Sequence, residues 1–161
     1  MSNILVAYFS ATGTTKRAAK GLAEALGADT FEIVPQTPYT STDLNWSDST
    51  SRSTSEMNDE ASRPPISGTV DDMDSYDAVF VGFPIWWYTE PRIIDTFLES
   101  YDFSGKTIVP FATSGGSGLG KAPERMQRIA TGSTVAAGRL LNGHQNPNEL
   151  RDWAQRLGLM R

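Results

Sequence analysis

The chain has 161 residues, 39% of them hydrophobic and 20% charged, the balance of one globular domain, and it lacks the apolar run of roughly 20 residues that spans a bilayer. It has no cysteine and one histidine, His144, which excludes a disulfide framework, thiolate-bound metal and a His-rich metal site, so any redox chemistry requires a bound organic cofactor. Residues 1–120 hold 7 basic and 16 acidic side chains and residues 121–161 hold 7 and 3; an acidic body disfavours nucleic acid and anionic membrane and favours basic protein partners.

Residues 4–9 form a continuous apolar run, as expected of a strand buried on both faces of a parallel sheet. Ser10, Ala11, Thr12, Gly13, Thr14 and Thr15 follow as a turn-rich stretch. Residues 16–26 place Ala18, Ala19, Leu22, Ala23 and Leu26 at helical spacing, with Gly27 as a stop. Residues 29–34 read as a second strand. From 41 to 63, 10 of 23 residues are Ser or Thr. A crossing as long as 35–68 normally contains its helix. The best helical piece is 56–61, and a poorly packed, largely exposed helix with mobile flanks is expected.

Residues 76–83 form a third strand. Thr89 is expected to cap the next helix and Pro91 to open it, with Ile93, Ile94, Phe97 and Leu98 as its buried stripe. Residues 107–112 read as a fourth strand, although Pro110 cannot donate to a ladder. Residues 122–129 read as a helix and 134–138 as a short fifth strand. The last helix starts at Asn146 and Pro147, buries Leu150, Trp153, Ala154 and Leu157, and stops at Gly158. This alternation predicts an α/β fold in one domain over 1–161: an open, doubly wound parallel sheet with helices on both faces. Ligands of such sheets bind beyond the carboxyl ends of the strands, where strand order reverses. The loops after strands one, three and four should therefore converge.

Each of those loops has chemistry of its own. The first joins a strand to a helix N-terminus, where free amides favour an anion; four hydroxyls and Gly13 add donors and room for a phosphate monoester. A plain capping turn is the alternative. The second is Pro84, Ile85, Trp86, Trp87 and Tyr88. Three consecutive loop aromatics cannot all point into a core, and a flat aromatic ligand would stack on them; a protein contact patch is the rival reading. The loop has no glycine, so positive φ is expected to be strained there. The third holds Thr113, Ser114, Gly115, Gly116, Ser117 and Gly118, whose glycines let backbone amides approach a ligand. Residues 115–122 nearly match a nucleotide-hydrolase phosphate loop, but Ala122 stands where a magnesium-binding hydroxyl is required. His144, in a polar stretch, reads as an exposed loop residue.

The three loops together resemble those of the flavodoxins, whose phosphate loop reads Ser/Thr-x-Thr-Gly-x-Thr near the N-terminus. The resemblance spans nearly the whole chain and is weakest over 35–68. It implies strand order 2-1-3-4-5, FMN as cofactor, a phosphate held by residues 10–15, and a ring walled by residues 84–88 and approached by residues 113–118. It implies a flavoprotein that transfers electrons in the cytoplasm, as a monomer or weak dimer, to partners with basic docking surfaces and without membrane or nucleic acid. No catalytic side chain and no metal are needed. An oxidoreductase that reduces quinones or other small acceptors with a nicotinamide donor is the alternative. A flavin-free interaction module is the third reading. The glycine-free second loop is expected to penalise a peptide rotation on reduction and so to favour two-electron chemistry.

Overall fold

The computed structural model describes residues 3–114, 118–143 and 145–160. In chain order the elements are β1 (Ile4–Tyr8), α1 (Thr14–Leu26), β2 (Asp29–Glu32), β3 (Val34–Pro35), α2 (Arg52–Met57), β4 (Ile66–Ser67), β5 (Ala78–Pro84), α3 (Arg92–Glu99), β6 (Thr107–Thr113), α4 (Ala122–Ile129), β7 (Thr134–Val135), β8 (Arg139–Leu140) and α5 (Pro147–Arg156). The main sheet is parallel, in the order β2-β1-β5-β6-β7, with β8 also paired to β6. This is the expected 2-1-3-4-5 order.

Alternation along the central strands divides the core into two layers. Leu5, Ala7, Val79, Val81, Phe83 and Ile108 pack against Ile93, Ile94 and Phe97 of α3 and Met126 of α4. Ile4, Val6, Phe80, Val109 and Phe111 pack against Leu22 of α1 and Leu150 and Trp153 of α5. Both faces are covered, which is why these strands read as unbroken apolar runs.

Four expectations need correction. The second strand ends at Glu32, and Val34 and Pro35 pair antiparallel with Ile66 and Ser67 in a separate ribbon. The fifth strand is broken: Ile108 pairs with Val135 and Phe111 with Arg139, so four steps face three. The break lies opposite Pro110, on the edge where Ile108 and Ala112 accept from Ala136 and Leu141, and the missing proline donor leaves one residue bulged. Thr89 does not cap α3. The N-cap position belongs to Pro91, and the Thr89 hydroxyl donates to the Glu90 carboxylate. Leu157 is only partly buried, while Leu159 fills that end of the core.

The 35–68 stretch departs most. Its helix lies at 52–57, capped by Ser51, which accepts from the Thr54 amide. Ser53, Thr54 and Met57 are buried, so the helix is neither loosely packed nor largely exposed. Arg92, itself buried, donates to the carbonyls of Glu56, Asp59 and Met57. Arg52 lies 3.8 Å over the Tyr39 ring and donates to the Thr37 carbonyl. Polar anchors replace the apolar ones that the sequence lacks.

A buried ionic cluster lies between these elements. Glu90 and Asp95 are fully buried, and Arg125 of α4 donates to both, at 3.2 and 2.9 Å. Desolvation, reinforced by the neighbouring Glu90 carboxylate, pushes the Asp95 carboxyl up to about 8, while Arg125 pulls it down. Folded Asp95 therefore retains a proton that the unfolded chain gives up at lower pH. Its stabilising contribution is complete below the ordinary carboxylate range and is lost as pH rises through about 8. The thermal unfolding midpoint should fall between about pH 5 and about pH 8 and level off above that, and Asp95→Asn should flatten that fall. Melts of both proteins across the range check this; equal slopes would refute it.

Candidate functional site

The loops after β1, β5 and β6 meet at the carboxyl ends of the sheet. Gly13, at φ 96°, is the N-cap of α1, and no side chain caps the helix. Ser10 does not fill that role, because its hydroxyl accepts from the Gly13 amide at 3.0 Å. The first amides of a helix have no partner within it. In α3, α4 and α5 an acid occupies the first turn, Asp95, Glu124 and Glu149 respectively, whereas α1 has none. Its positive end is thus left open to an external anion. Among the loop hydroxyls, Thr12 and Thr14 are exposed, whereas Thr15 is buried and bonds the Thr113 hydroxyl at 2.8 Å. This bridge ties the first loop to the third.

The second loop is a tight turn. Trp86 and Thr89 exchange both backbone hydrogen bonds, at 3.0 and 3.1 Å, around Trp87 and Tyr88. Those two residues have φ of 49° and 64°. Positive φ at both central positions normally calls for Asn-Gly; holding two aromatics there costs on the order of 1–3 kcal/mol each. The strain expected of positive φ in this glycine-free loop is therefore present, and the folded chain already carries it at Trp87 and Tyr88.

The three aromatics are used differently. Trp86 packs edge-on against Phe9 and Tyr39, with ring centroids 5.8 and 5.5 Å away. Trp87 and Tyr88 are 42% and 70% exposed. The turn is braced from behind, since the Tyr88 carbonyl accepts from the Lys121 amide at 3.0 Å. Gly120 makes this approach possible: with φ 57°, a Cβ there would lie 1.9 Å from the Tyr88 oxygen.

A cavity of about 640 Å³ runs between the loops, lined by Ala11, Thr12, Pro84, Ile85, Trp86, Trp87, Tyr88 and Ser114. That size suits a small-molecule site. Of the expected site residues, Ser10 and Gly13 shape the first loop, Thr15 and Thr113 bridge behind it, and Thr14 faces a groove between α1 and α5. The Ser114 amide is held by the Asn142 side chain at 2.9 Å. Gly118 is exposed and does not line the cavity. Gly115, Gly116 and Ser117, like His144, lie outside the described residues. The cavity also takes Leu44, Trp46 and Ser53 from the polar connection, none of which was expected. Trp46, the only large aromatic in an otherwise Ser/Thr-rich stretch, was the signal available in the sequence.

The flavodoxin family model matches residues 3–157. This chain belongs to the flavodoxin family. Among solved structures, a candidate flavoprotein from Bacteroides eggerthii is similar at 47% identity, covering 98% of this chain and 99% of the other, with a TM-score of 0.94. A candidate flavoprotein from Bacteroides uniformis shares 48% identity over 96% and 98% of the two chains, with a TM-score of 0.89. A Lactobacillus acidophilus flavoprotein solved in complex with FMN shares the fold at 20% identity, with 96% and 99% coverage and a TM-score of 0.75. The comparison with curated proteins finds no match. Among the described residues, no helix of this flavodoxin-family chain is long and apolar enough to cross a membrane.

The strained turn gives a prediction for the free protein. Tyr88→Gly removes a left-handed aromatic that is 70% exposed and contributes little packing. It should raise unfolding stability by about 1 kcal/mol, read by denaturant titration. An unchanged or lower midpoint would show that the Tyr88 ring earns its strained position through contacts in the free protein.

Proposed function

We propose that this protein binds FMN and serves as a flavodoxin-type electron carrier. The observation that carries the reading is one cavity with two unlike ends. Beside Thr12 lies a helix N-terminus with neither a side-chain cap nor an acid in its first turn; at the other end stand the exposed rings of Trp87 and Tyr88. A phosphate monoester suits the first end. Neutral donors and a helix dipole hold it without an ion pair, and Thr12 adds a hydroxyl. A flat, partly apolar ring suits the second, where stacking adds roughly 0.5–1.5 kcal/mol per aromatic pair to the area buried. The Lactobacillus acidophilus protein of the same fold was solved with FMN, which supports the choice of ligand.

Bound FMN supplies the redox chemistry, taking up and giving back one or two electrons. The protein's part is to bind and orient it. Residues 10–15 fix the phosphate end, and the 84–88 turn, braced by Lys121 and Trp86, fixes the ring wall. Thr113 and Ser114 lie on the third side, tied in by the Thr15–Thr113 bridge. The excess of acid in residues 1–120 suits a partner with a basic docking surface. Small-acceptor reduction with a nicotinamide donor is the second reading, favoured by the exposure of Trp87 and Tyr88 at the cavity wall. Nicotinamide oxidation with a quinone and no partner protein would favour that enzyme; turnover only with a partner reductase favours the carrier.

The binding claim has a direct test. Titration with FMN should show tight binding, and riboflavin, which lacks the phosphate, should bind more weakly. Thr12→Ala removes one donor to a charged acceptor, worth roughly 1.5–3 kcal/mol. It should weaken FMN about tenfold or more and leave riboflavin unchanged. Equal affinity for FMN and riboflavin in the wild type would sink the phosphate assignment.

A further inference from the structure

Four large apolar side chains are exposed among the described residues: Val34, Trp46, Trp87 and Tyr88. Scattered singly, such residues need no explanation. Three of these four, however, line the same cavity, and they come from two chain segments far apart in sequence. Trp46 is the most exposed, at 76%. Burying a side chain of that kind is worth roughly 1.5–3 kcal/mol or more, yet the free protein leaves it in water.

The loop that presents Trp46 is built by local hydrogen bonds. Asp43 accepts from the Thr40 amide, and Thr40 accepts from the Asp43 amide in return, at 3.0 and 3.1 Å. The Asn45 side chain accepts from the amide and hydroxyl of Ser47, and that of Asp48 accepts from the amide and hydroxyl of Thr50. The Ser53 amide donates to the Asp43 carbonyl at 2.9 Å, joining the loop to α2. Asn and Asp side chains that bond backbone two residues on form defined turns. Trp46, between Asn45 and Ser47, is thus carried on a folded support whose far end is held by Arg92.

We infer that Trp46 is a ring-contacting wall of the cofactor site, contributed by the 36–51 connection and acting together with Trp87 and Tyr88 on a flat aromatic ligand. The inference rests on the FMN reading and adds to it a residue from a segment outside the three loops. Leu44 and Ser53, which line the cavity beside Trp46, complete that wall.

The test uses FMN and riboflavin as probes, with three proteins: wild type, Trp46→Ala and Trp46→Phe. A ring contact is shared by both flavins, so Trp46→Ala should weaken FMN and riboflavin by the same factor, about fivefold or more, the size of one aromatic stacking contact. Trp46→Phe keeps a stacking face and should stay within about twofold of wild type. Because Trp46 is exposed, the melting midpoint of the free protein should be the same in all three, which separates a ligand contact from a structural role. Wild-type affinities for both flavins in Trp46→Ala would overturn the inference. So would a loss for FMN alone, or a loss in Trp46→Phe as large as in Trp46→Ala. A wild type that binds neither flavin would overturn the FMN reading and this inference with it; a wild type that binds both leaves the FMN reading standing whatever the variants do.

Discussion

Arg125 reaches from α4 to two acidic side chains that have no solvent of their own. Glu90 follows the aromatic turn, Asp95 stands in the first turn of α3, and both are fully buried. An ion pair in such a place is weak evidence for stability, since desolvation offsets much of the attraction. Its value here is positional. Removing one partner would strand a buried charge at a cost of roughly 3–5 kcal/mol, so α4, α3 and the end of the turn are held in one arrangement. Arg92 extends the constraint to the connection before β4 through the carbonyls of Glu56, Met57 and Asp59. The elements around the cavity are rooted in the same charged patch.

The rooting explains how the strained turn survives. Two aromatics in the left-handed region persist only if their surroundings over-determine them. On one side the Trp86 ring is packed against Phe9 and Tyr39; on the other Glu90 is clamped by Arg125; between them the Tyr88 carbonyl is bonded by Lys121. The same anchors reach the polar connection, because the Tyr39 hydroxyl donates to Glu56 at 2.5 Å and burial together with that carboxylate raises its pKa.

Apolar periodicity made the sheet and four of its helices legible in the sequence, because strands buried on both faces and helices buried on one must show it. The three loops were legible for a different reason: hydroxyls at a helix start, aromatics in a loop and clustered glycines are hard to explain as core. The rest was written in interactions without periodicity. The helix at 52–57 is held by Arg92 and Ser51 rather than by an apolar stripe, so counting apolar anchors moved it to 56–61 and made it loose. The bulge opposite Pro110 depends on which edge the missing donor faces, which only the register reveals. Positive φ at Trp87 and Tyr88 contradicts residue preference, and local preference is expected to fail at sites where tertiary structure imposes the conformation.

That conflict bears on how binding would be organised. A loop that had to be forced into the left-handed region on ligand arrival would charge its strain to affinity. Here the turn is already formed, the Trp46 loop is already folded by its own side-chain hydrogen bonds, and the first and third loops are already bridged by Thr15 and Thr113. Preorganisation of this kind raises affinity by removing ordering costs that would otherwise be deducted on binding. The folding free energy of the sheet and the charged cluster sustains the strained turn, so the stacking and phosphate contacts of the proposed flavin would add to affinity without that deduction. It also follows that substitutions in the Arg125 cluster would act on the aromatic turn through the position of Glu90.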